Sequence, residues 1–102
     1  MIEINISDHN ILVDGHAGYA PPGEDDIICA AISVLIQSFI ISIEELTNDE
    51  ISYQIQSGHI NIKHGDLSEA GKLLKRSFSI AAKMIEKSYS SQYTHVSGAD
   101  GR

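Results

Sequence analysis

From Ile27 to Ile43 the chain carries no charged residue, and Asp25, Asp26, Glu44 and Glu45 close that run at its two ends. A stretch so apolar has to be hidden from water, and whatever hides it decides the fold. A membrane span is one way, and it needs roughly 20 predominantly apolar residues. Here Ser33, Gln37, Ser38 and Ser42 interrupt the run. The preferred reading is therefore a buried core helix, and no membrane is expected as a partner.

The flanking segments supply the cover. Ile2, Ile4 and Ile6 alternate with polar residues, which is the pattern of a strand with one buried face. Ser7-Asp8-His9-Asn10 is turn chemistry, and Ile11-Leu12-Val13 returns as a second strand. The unit repeats after the apolar helix. Ile51, Tyr53 and Ile55 alternate, Ser57-Gly58 is a turn signal, and Ile60-Asn61-Ile62 comes back. Asp66 followed by Glu69 resembles a capping box, ahead of Leu67, Ala70, Leu74, Phe78, Ala81, Ile85 and Tyr89 at helical spacing.

The expected fold is one α+β domain, ββαββα, with an antiparallel sheet of about four strands and both helices on one face. Its parts are a hairpin at 1–14, a loop at 15–25, a helix at 26–46, a hairpin at 50–64, a helix at 66–89 and a frayed polar tail at 90–102. At 102 residues such a domain buries only roughly 60–65% of its unfolded surface. A helix apolar around much of its circumference then argues for a further partner, a second copy of the chain. The formal net charge of −7 offers no basic footprint, so direct nucleic-acid binding is not expected. Lys72, Lys75, Arg76 and Lys83 read as a solvated face of the second helix.

The chemistry concentrates at Cys29, the sole cysteine. It stands about three residues into the apolar helix, where free backbone N–H groups and the positive end of the helix dipole favour a thiolate. His16 lies upstream across a loop rich in Gly and Pro, able to fold back as proton shuttle. Gly18 and Gly23 are candidate hinges and Pro21-Pro22 stiffens the middle. Asp26 suits the helix cap. Asp26, Cys29, Ser33 and Gln37 are 3, 4 and 4 apart and share one helix stripe at about 100° per residue, so Ser33 is positioned to orient His16 or hold the sulfur. Amides near the helix start would be the oxyanion donors.

Other readings stay open on the residues alone. A lone buried cysteine is commonly a small hydrophobe. His9, His59, His64 and His95 have no ligand spacing, so neither a metal nor any other cofactor is expected. No lysine followed by Ser or Thr trails the glycines, which excludes a phosphate-binding loop. A low-pKa thiol would also suit a redox sensor, but there is no resolving cysteine in the chain.

Gly15-His16-Ala17, then Asp26-Ile27-Ile28-Cys29-Ala30 and Ser33 one turn on, closely resemble the pattern of the ribosomal-processing cysteine protease family, Prp. The hairpin–helix order fits that family over nearly the whole chain. The acidic balance fits a cytoplasmic protein, and the resemblance implies a homodimeric cysteine endopeptidase. Its substrate would be the N-terminal extension of a bacterial large-subunit ribosomal protein, or a phage structural protein if the gene belongs to a prophage. His16 and Cys29 carry over as the catalytic pair and Asp26 and Ser33 as supporting residues, with Gly15, Ala17, Gly18 and Gly23 in the substrate loop. Family members often place Gly two residues before the Asp. Gly23 here is three before Asp26, so the loop is one residue longer. The alternative is a non-catalytic dimer that grips a ribosomal or capsid peptide without cutting it.

Overall fold

The computed structural model describes residues 1–21, 26–90 and 92–98. Ile2–Ser7 (β1) and Asn10–Gly15 (β2) form an antiparallel hairpin in which Ile4 faces Val13 and Ile6 faces Ile11. Helix α1 runs Ile27–Leu46. A second hairpin, Ile51–Gln56 (β3) with His59–His64 (β4), follows, then helix α2 at Glu69–Tyr89 and strand β5 at Thr94–Gly98. The strands lie in the order β3-β4-β2-β1-β5, antiparallel throughout except for the parallel pair of β1 with β5.

Alternation puts Ile2, Ile4, Ile6, Ile11, Val13 and Ile62 on one face of the sheet, where the two helices cover them. Helix α1 meets that face with Ile28, Ile32, Ile36, Phe39, Ile40 and Ile43. At about 1.5–3 kcal/mol per fully buried side chain, this seam contributes on the order of 10 kcal/mol before entropy is counted. By length and composition alone α1 could cross a membrane, but its apolar seam is taken up by the sheet. Phe39 and Phe78, 6.0 Å apart, join α1 to α2.

Three expectations need correction. Residues 94–98 are not frayed: they form β5 along the outer edge of β1, starting with the buried Thr94. That edge would otherwise expose unpaired N–H and C=O groups, and covering it outweighs the segment's polar composition. Helix α2 is capped by Ser68 rather than Asp66. The Ser68 hydroxyl accepts from the Gly71 N–H at 3.1 Å and donates to Asp49 Oδ2 at 2.8 Å. A serine cap held by a carboxylate from the loop between α1 and β3 is better satisfied than a free aspartate two residues earlier. Finally, Lys75 is buried. Its ammonium donates to Ser7 O at 2.6 Å, Asp8 O at 3.4 Å and His64 Nε2 at 2.8 Å, so its three donors have three acceptors. His64 Nδ1 donates to Gly65 O at 2.7 Å, which leaves Nε2 as the acceptor and the ring neutral.

Candidate active site

Asp26 caps α1, and its carboxylate does more than cap. Oδ1 accepts from the Ile28 and Cys29 N–H groups at 3.0 and 3.1 Å, as an N-cap should. Oδ2 accepts from the Tyr19 and Ala20 N–H groups at 2.9 and 3.3 Å, gathering the upstream loop onto the helix start. Burial pushes this carboxyl up, but the four N–H donors together outweigh that and hold it below the ordinary aspartate value.

The loop thus tied returns to Cys29. Ala17 is buried with the core, and its N–H donates to Cys29 Sγ at 3.3 Å. That bond ties the sulfur to the loop backbone. Of the amides near the helix start, where oxyanion donors are expected, those of Ile28 and Cys29 are already engaged by Asp26, because the best local cap takes the first free amides of the helix.

His16 is set by two glycines. Gly15, at φ 97°, ends β2 and donates its N–H to Gly58 O at 2.8 Å. Gly58 sits at φ 73° in the two-residue turn between Gln56 and His59. The His16 ring lies against its backbone, so closely that a Cβ at position 58 would stand 2.7 Å from Nε2. Only glycine satisfies both the angle and the space. Sequence reading took Gly58 as turn chemistry alone; nothing in its local pattern reveals that a side chain 42 positions away, in the loop after the first hairpin, rests on it.

Cys29 and His16 line one cleft of about 230 Å³, together with Ser33, Ile2, Val13, Ile32, Ile55, Gly58 and Ile60. Ile55, on the β3–β4 hairpin, is half-exposed at this cleft. Ser33 is at the wall, yet its hydroxyl accepts from Gln37 Nε2 at 2.8 Å rather than serving His16 or the sulfur. The stripe of Asp26, Cys29, Ser33 and Gln37 is real, but its lower half is bonded to itself. His59 borders the cleft with its backbone; its side chain leaves on the opposite face of the sheet and meets Asp14 Oδ1 at 3.2 Å. Gly18, at φ 70°, has open space around it. Gly23, Pro22 and Asp25 lie outside the described residues, so the longer loop is not placed.

The family model described as cysteine protease Prp matches residues 1–94. Ribosomal processing cysteine protease Prp of Staphylococcus aureus, in each of two strains, is 26% identical over 95 residues, covering 86% of this chain and 89% of the relative. Among solved structures, the S. aureus protease with a covalently linked product peptide superposes with a TM-score of 0.84 at 23% identity, over 94% of this chain and 97% of that one. The same protease with a substrate peptide gives 0.82 at 23% identity, over 95% and 98%. A Streptococcus mutans protein, SMU.848, gives 0.73 at 21% identity, over 93% and 89%.

Proposed function

The chain belongs to the cysteine protease Prp family and is a cysteine protease, and from that premise we propose that Cys29 is the nucleophile, that His16 is its proton shuttle, and that the substrate is the N-terminal extension of a bacterial large-subunit ribosomal protein. The observation that carries the pairing is the common cleft, in which the sole thiol receives the Ala17 N–H and the His16 ring rests on Gly58.

The sulfur, as thiolate, attacks the scissile carbonyl carbon. Collapse of the tetrahedral species breaks the C–N bond, and the His16 imidazolium gives its proton to the departing amine. The first product leaves with a new N-terminus, and its other half stays on Cys29 as a thioester. His16, now neutral, takes a proton from water. The hydroxide attacks the thioester carbon, and the thiolate and imidazolium are regenerated. Asp26 acts on this cycle through the loop: it holds the Tyr19 and Ala20 amides, next to the Ala17 N–H that meets the sulfur. Ser33 shapes the cleft wall through its bond to Gln37.

The same premise favours a homodimer. Ile27, Val34 and Ile41 recur every seventh residue along α1 and are all at least half-exposed. A seven-residue apolar stripe is a seam for a second helix, here that of another copy. Work on a ribosomal precursor puts the enzyme in the cytoplasm.

The test is mass spectrometry of the ribosomal protein, with its extension, after incubation with wild type or Cys29→Ala. One cut by wild type only is the expected result. A cut only in a phage structural protein would change the substrate and leave the chemistry standing. Binding of the extension by both proteins without any cut would identify a peptide-binding module and overturn the proposal.

A further inference from the structure

The loop that carries His16 and Ala17 is tied down at a second place, and the tie comes from the far end of the chain. The Tyr19 ring sits between two others. Tyr93 is 5.2 Å away at 79° and Tyr89 is 5.9 Å away at 81°, both edge-to-face. These separations fall in the range where aromatic pairs attract through their quadrupoles. Tyr89 ends α2 and Tyr93 immediately precedes β5. Between them Ser90 takes φ 88°, a left-handed angle rare for a residue with a side chain, and its carbonyl accepts from the Tyr93 N–H at 3.2 Å. The Tyr93 carbonyl in turn accepts from the Ile2 N–H at 2.8 Å, pinning the segment to β1.

We propose that Tyr19, seated between Tyr89 and Tyr93, is a positioning residue through which the C-terminal segment orients the catalytic loop. The loop contributes no strand or helix at this point, so the ring cluster bears chiefly on where the loop stands. Ala17 is anchored by its buried methyl group and Tyr19 by its ring. Gly18 between them is unsupported by neighbours. With both anchors in place the Ala17 N–H is aimed at Cys29 Sγ. With one lost, the segment can pivot at Gly18 and the N–H leaves the sulfur. The Asp26 bonds fix only the backbone amides of Tyr19 and Ala20 and do not hold the ring. The cluster joins Tyr19 to two side chains near the opposite end of the chain, and β5 gains a purpose beyond covering an edge.

The inference rests on the assignment of Cys29 as nucleophile, and the test separates the two. Alkylation of Cys29 by iodoacetamide at pH 6.5 is measured for wild type, Tyr89→Ala, Tyr93→Ala and the matching Phe variants, with melting temperatures alongside. The Ala variants are expected to react about threefold to tenfold more slowly, the range that loss of one aromatic pair spans. The Phe variants keep the ring edges and should react like wild type. Tyr89 is 41% exposed at a helix end, so Tyr89→Ala folds even if Tyr93→Ala does not. Ala variants that melt earlier but alkylate at the wild-type rate overturn the positioning role and leave the nucleophile assignment intact. A wild-type thiol that reacts no faster than the same thiol in urea contradicts the nucleophile assignment itself, and the positioning role falls with it.

Discussion

Gly18 and Gly58 have nearly the same backbone angle, φ 70° and 73°, and very different surroundings. A Cβ at Gly18 meets nothing, whereas one at Gly58 meets the His16 ring. Both alanine variants pay about 1–2 kcal/mol for a left-handed residue, so thermal melts should show similar losses. Only Gly58→Ala also displaces the His16 ring, the proposed proton shuttle. Its kcat/KM is therefore expected to fall at least tenfold further than that of Gly18→Ala; equal activity in the two would contradict the contact with His16. At this scale the sequence is legible where a residue acts through its neighbours in the chain. Asp26 as a cap, Cys29 near a helix start and the shared stripe could all be read from spacing. Gly58 under His16 and Lys75 under the β1–β2 turn could not, because each depends on which hairpin or helix packs where.

Among the elements, the two hairpins and α1 follow from alternation and from an uncharged run that must be covered, and their observed limits differ little from those expected. Strand β5 does not follow. Thr94-His95-Val96-Ser97-Gly98 has one strongly apolar residue, and its strand state comes from the open edge of β1 rather than from its own pattern. The outer face of α1 is the surface on which the proposed dimer rests. Val34 is 65% exposed at the centre of the Ile27–Val34–Ile41 stripe. Sedimentation of Val34→Glu should show monomer at micromolar concentrations at which wild type sediments as dimer, with the melting of the isolated fold little changed. A wild type that is monomeric at those concentrations would remove the dimer.

For the molecule as a whole, acidity should act through a few groups away from the cleft as well as at it. Burial is the main cause that pushes the His64 value below that of an ordinary histidine; the Gly65 carbonyl opposes this, while Lys75 and His9 reinforce it and Asp49 opposes it. Burial likewise pulls Lys75 down, against the pull of Asp8. A histidine kept neutral in the fold contributes stability that is present above its unfolded value of about 6.5 and is lost as pH falls through the lower folded value. The depressed Asp26 adds a further loss only below about pH 4. The melting temperature should therefore fall between pH 7 and 5, and His64→Gln should flatten that limb; an unchanged slope in the variant would assign the loss elsewhere. The claim on which the whole account turns is that Cys29 and His16 act as one unit. It is tested most directly by kcat/KM on the extended ribosomal protein for wild type, Cys29→Ala, His16→Ala and the double variant. Residues of one catalytic unit are strongly non-additive. The account predicts that each single variant loses about a thousandfold or more and that the double loses no more than the worse single. His16→Ala retaining more than about a tenth of wild-type activity, or losses that multiply in the double variant, would contradict it.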